Sequence, residues 1–195
     1  MLRKFLFVVM FFYIMYATLA VVLTPTRMLA TYYVHDPGGL PLLPTELVRH
    51  AIICCKDVGP PGRDEWRLIS FVLNGGAYPN NEGTGSRERA IRLVSDLVVK
   101  RELDPNWVDD ELPLTAFIDA LAFGYSFAVP ALIEVGADPC LKMPPSDKPY
   151  ANLNAYEYGR YLERKYLKKP ELEYITMTSR AVPLLQDGAE CGVGQ

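Results

Sequence analysis

Clustered basic residues are missing from this 195-residue chain, and histidine is nearly so, with only His35 and His50. Twenty Lys and Arg face 23 Asp and Glu, and both signs are interspersed along the chain. Nucleic-acid binding needs grouped cations to neutralise phosphates, so that class is excluded. No Cys-x-x-Cys pair or Cys/His spacing suits zinc, and no metal site is expected. A Gly-x-Ser-x-Gly elbow and a His-Glu-x-x-His helix are both absent. The glycine-rich stretch Gly83-Thr84-Gly85-Ser86 lacks the Lys-Ser/Thr pair that grips phosphates, and Glu88 stands where a dinucleotide fingerprint ends in Gly. It reads as a turn leading a helix. These absences point away from an enzyme and from any cofactor.

Cysteine is sparse too: Cys54, Cys55, Cys140 and Cys191. Neighbouring cysteines seldom bridge each other, because the ring is strained. Cys54 and Cys55 end the apolar run from Ala51, where small buried hydrophobes are expected. In an oxidising compartment Cys191 is free to pair with Cys140 or with one of the adjacent two.

One long apolar run is present. Residues 5–23, FLFVVMFFYIMYATLAVVL, carry no charge and follow Arg3 and Lys4. As a helix such a run spans roughly 28 Å, the thickness of a bilayer's hydrocarbon core. The basic flank predicts an N-terminus inside and the remaining chain outside. Two readings fit: an uncleaved signal-anchor, or a secretory signal with Thr18 and Ala20 at the small positions before a cleavage site. In both the domain is exported.

Half of all residues are hydrophobic, as a globular domain requires. Residues 24–44, rich in Pro and Gly, read as a linker lifting the domain off the membrane. Residues 45–168 read as short amphipathic helices, with no strand alternation, and 169–195 as a poorly packed tail. Thr45 and Ser86 are placed to cap helices. Two later hairpins are predicted, Thr115–Phe123 with Ala128–Val135, and Tyr150–Tyr158 with Gly159–Lys168. The fold class is all-α.

Three helix ends share a signature: Gly76-Ala77-Tyr78-Pro79-Asn80, Glu102-Leu103-Asp104-Pro105-Asn106 and Gly136-Ala137-Asp138-Pro139-Cys140. Asp104 and Asp138 lie 34 residues apart. Between Thr115 and Asp138 the chain resembles the ankyrin repeat family. Thr115-Ala116-Phe117-Ile118-Asp119-Ala120 occupies the Thr-Pro-Leu-His-x-Ala segment, Gly124 the inter-helix glycine, and Leu132 to Asp138 the closing Leu-rich turn. Departures are visible: Pro113 precedes the threonine, and Ile118 replaces the family's His. The match is best over residues 115–140 and weakest over 45–96. The resemblance implies an array of roughly three to four hairpins that must stack to bury its apolar faces.

It also implies partner binding through hairpin tips and the first helix of each pair. By position the tips are Trp107, Asp109, Asp110 and Glu111, then Lys142 and Met143. The first-helix candidates are Asp119, Phe123 and Tyr125, then Asn154, Glu157 and Tyr158. Taken alone, Asp109-Asp110-Glu111 reads as a solvated acidic loop. An exported, tethered array of this kind suits the periplasmic face of an inner membrane. By architectural analogy it looks like an immunity protein, whose acidic concave surface neutralises a secreted antibacterial effector. The alternative expectation is a structural scaffold or accessory subunit of an envelope complex.

Overall fold

The computed structural model describes residues 2–35, 43–56, 63–77, 85–108, 113–125, 127–166 and 191. Among these residues it is all-helical, with eight helices and no strand. They are α1 Leu2–Leu23, α2 Thr26–His35, α3 Thr45–Cys54, α4 Arg63–Ala77, α5 Gly85–Arg101, α6 Ala116–Ala122, α7 Ala128–Glu134 and α8 Ala155–Tyr166.

Helix α1 is long and apolar enough to cross a membrane, and its side chains are exposed along most of its length. Among the described residues its last turns pack on the core. Ala17 is buried there and Ala20 packs beside it. Lys56 Nζ donates to the Val22 carbonyl at 2.8 Å, satisfying an acceptor that the helix end leaves open.

Residues 24–44, expected to be a linker, instead begin with a helix of the core. Leu29, Ala30, Tyr33 and Val34 form one buried stripe on α2. Each large side chain of such a stripe contributes roughly 2 kcal/mol on burial, enough to order a ten-residue helix that propensity alone would leave marginal. The domain therefore joins the apolar helix through Thr24 and Pro25, with no spacer.

Successive helices pair as hairpins, α2 with α3, α4 with α5 and α6 with α7. The first members also stack in the order α2, α4, α6, α8, and the second members in the order α3, α5, α7. Two layers result, with Ile52, Ile69, Leu93, Leu97, Phe117 and Leu132 fully buried between them. Two arginines of α5 lock the layers together. Arg89 donates to the Val34 carbonyl at the end of α2, at 3.2 and 2.9 Å. Arg101 donates to the carbonyls of Ile52 at 3.0 Å and Lys56 at 2.6 Å, at the end of α3. Both sit where helix dipoles favour a cation. A surface network of Arg49 with Glu46 and Asp96, and of Lys100 with Asp96, joins α3 to α5.

The 34-residue spacing recurs in the backbone. Asp104 and Asp138 each fold into an Asx turn, their Oδ1 atoms accepting from the N–H of Asn106 and Cys140, both at 2.8 Å. The following N–H groups, of Trp107 and Leu141, return to the Asp carbonyls, both at 3.3 Å. Glu102 and Gly136, also 34 apart, both adopt positive φ, 56° and 92°. Gly124 and Gly136 end α6 and α7 in the same way. The residue after each, Tyr125 or Ala137, donates back over five residues at 2.8 Å.

Several local expectations are corrected. The final unit is not a pair of helices: residues 149–152 make a turn, and α8 runs unbroken through Gly159. Packing holds that glycine in place, its cost inside a helix being only about 1 kcal/mol. Pro44, not Thr45, is the cap of α3. Cys54 and Cys55 are exposed, not buried, and bridge each other. Cys191 pairs with Cys140, tying the C-terminal region to the loop after α7.

Candidate functional site

The inner layer, that of α2, α4, α6 and α8, carries an open cavity of about 300 Å³. It is lined by Arg27 from α2, by Arg67, Ser70, Phe71 and Asn74 from α4, and by Asp119, Phe123 and Tyr125 from α6 and its end. Local chemistry sets each position. Thr115 Oγ1 accepts from the Ile118 N–H at 3.3 Å and caps α6, which puts Asp119 one residue further round the first turn. Gly124, at φ 71°, reverses the chain and brings Tyr125 back beside α4. There the Tyr125 hydroxyl donates to Asn74 Oδ1 at 2.8 Å. The Phe123 and Tyr125 rings stack at 5.8 Å.

Asp119 is the cavity's most unusual group. It is 9% exposed and has no ion-pair partner among the described residues. Burial raises its pKa to about 6. Ser70 opposes the rise; its buried Oγ forms no hydrogen bond of ordinary geometry, yet lies close enough to favour the carboxylate. Tyr150 senses the same carboxylate: burial first, then the charges of Asp119 and Asp147, push its pKa up. At the rim Phe71 and Phe123 remain 38% and 55% exposed.

The residues expected to contact a partner scatter among different roles. Asp119, Phe123 and Tyr125 come together in the cavity, although Tyr125 is buried and its hydroxyl engaged. Asn154 and Glu157 are turned to the fold, as a reciprocal cap on α8. Glu157 N–H donates to Asn154 Oδ1 at 2.9 Å, and Asn154 N–H to Glu157 Oε2 at 3.0 Å. Tyr158 is buried edge-on against Tyr150 at 5.8 Å. Met143 is core, its backbone bonded to Leu153 and Asn152. Trp107 is half-buried on the core, whereas Lys142 is exposed. Asp109, Asp110 and Glu111 lie outside the described residues.

The cavity holds two guanidinium groups and one carboxylate. Sequence reasoning missed Arg27, Arg67, Ser70, Phe71 and Asn74. Arg27 was assigned to the linker. Among the α4 residues Phe71 reads as part of the buried apolar face, whereas it is 38% exposed; Arg67, Ser70 and Asn74 carry no motif and stand on the helix's polar side. The chain matches no family model, no curated protein and no solved structure.

Proposed function

We propose that the chain is a membrane-tethered protein-binding module, ankyrin-like in its sequence, that presents its inner helical layer to a partner. The carrying observation is the aromatic rim of that layer. Phe71 and Phe123 are large apolar side chains left exposed on α4 and at the end of α6, beside charged groups of both signs, and Tyr161 is exposed on α8 under Lys165. Exposed aromatics next to polar groups are the favoured anchors of protein interfaces. The apolar α1, packed directly on the domain, supports a partner that is itself at the membrane.

The flank of Arg3 and Lys4 supports a domain on the exported side. On that side the narrower form of the reading is neutralisation of a secreted effector. The experiment is in-cell photocrosslinking from position 123, with position 133 on the exposed outer layer as control. Capture of one discrete protein from 123 and not from 133 is expected. Equal capture from both, or none from either, overturns the reading. Toxicity of a co-encoded neighbour on deletion of this gene separates an immunity role from a scaffold.

A further inference from the structure

We propose that the cavity between α2, α4 and α6 binds a zwitterion carrying both an ammonium and a phosphate, the chemistry of a phosphoethanolamine headgroup. The cavity's charges demand a ligand of two signs. Asp119 offers a carboxylate that no described cation pairs, although Arg27 and Arg67 line the same walls. A buried charge without a partner is costly, and a positive ligand group removes that cost. A simple cation would also face the Arg27 guanidinium, and a simple anion would face the carboxylate. A ligand with an ammonium at one end and a phosphate at the other meets a complementary group at each.

The neutral walls agree with that assignment. Ser70 Oγ is buried beside the Asp119 carboxylate, with no hydrogen bond of ordinary geometry, and places a hydroxyl at the floor. The exposed rings of Phe71 and Phe123 suit an ammonium and its methylenes, because an aromatic face attracts a cation. A volume of about 300 Å³ lies at the small end of ligand sites, as a headgroup requires.

Position favours a lipid as the source. Arg27 is four residues beyond Leu23, the end of the apolar helix, and Lys56 is bonded to Val22. The cavity thus begins beside the segment that enters the bilayer. This inference does not depend on the protein-binding reading, since cavity occupancy and protein capture are measured separately.

The test uses the full chain in phosphatidylglycerol nanodiscs, with and without phosphatidylethanolamine. Native mass spectrometry reads the lipid that stays bound on release. Retention of one phosphatidylethanolamine per chain is expected, displaced by soluble phosphoethanolamine and reduced about tenfold or more in Asp119→Asn and Arg27→Gln. Val99→Ala, at an exposed position of α5, should retain it like the parent. Binding of soluble phosphoethanolamine without lipid retention keeps the zwitterion site and makes a free molecule its ligand. Equal retention of phosphatidylglycerol, no binding of either probe, or full retention by folded Asp119→Asn overturns the proposal.

Discussion

Asn106 holds the loop around Asp138, a turn related to its own by 34 residues: its Oδ1 accepts the Asp138 N–H at 2.6 Å, and its Nδ2 donates to the Gly136 carbonyl at 3.0 Å. One side chain therefore joins two successive hairpins through both of its functional groups. Asn106→Ala removes both bonds and leaves a backbone donor and an acceptor to solvent. The expected loss is about 1–3 kcal/mol, read from the urea midpoint of the full chain in detergent. Asn106→Asp should recover part of it, because the carboxylate still accepts from Asp138. An unchanged midpoint in Asn106→Ala would show that the loops are held by packing alone.

Gly136 and Glu102 occupy equivalent positive-φ positions, so opposite substitutions should have opposite effects. A Cβ on Gly136 would meet nothing within 4 Å, which leaves only the backbone cost. Gly136→Ala should therefore lose about 1–2 kcal/mol. Glu102→Gly should gain up to about 1 kcal/mol by relieving its left-handed conformation. Thermal unfolding of the two single variants measures both signs; stabilisation by Gly136→Ala would refute the geometry.

Asp119 makes stability depend on pH in a direction unusual for a carboxylate. Its folded pKa of about 6 lies above the ordinary 3.8, so between these values the folded chain keeps a proton that the unfolded chain has released. Stability accordingly falls as pH rises through this window, then stays lower by roughly 2–3 kcal/mol. Asp119→Asn should gain about 2 kcal/mol near neutral pH and nothing below about pH 4. Arg27, Arg67, Ser70 and Tyr150 are the groups facing this position, and none is altered by the variant. A gain independent of pH would mean that packing, not charge, is responsible.

Arg101 joins α5 to two carbonyls at the end of α3. Arg101→Met keeps the apolar stem and removes the charge and donors, with an expected cost of about 1–3 kcal/mol. Arg101→Lys should fall between, since one ammonium cannot reproduce the planar fork. Hydrogen exchange at Cys55 and Lys56, whose N–H groups bond to the Ala51 carbonyl, should rise in Arg101→Met. Unaltered exchange there would rule out a local role.

Much of the array was legible because its signals are local. The α6–α7 hairpin was expected from Thr115, Gly124 and Gly136, and each acts through its own or adjacent backbone groups. The last unit was misread since Gly159 looks like a break, while the Asn154–Glu157 cap and burial carry α8 through it. Asp119, Phe123 and Tyr125 were singled out from repeat position, and all three line the cavity. Their α4 neighbours were not, because residues such as Ser70 and Asn74 gain meaning only from what lies across the groove.

The sequence by itself determined the long apolar helix, the all-helical class and the 34-residue recurrence of turns, since uncharged length, helical periodicity and turn chemistry are properties of consecutive residues. Only the tertiary structure decided that α2 belongs to the core, that Cys191 pairs with Cys140, and that a carboxylate and two guanidinium groups share a cavity. Each depends on surfaces meeting across distant segments, and the energy that selects such contacts is not written in any one of them.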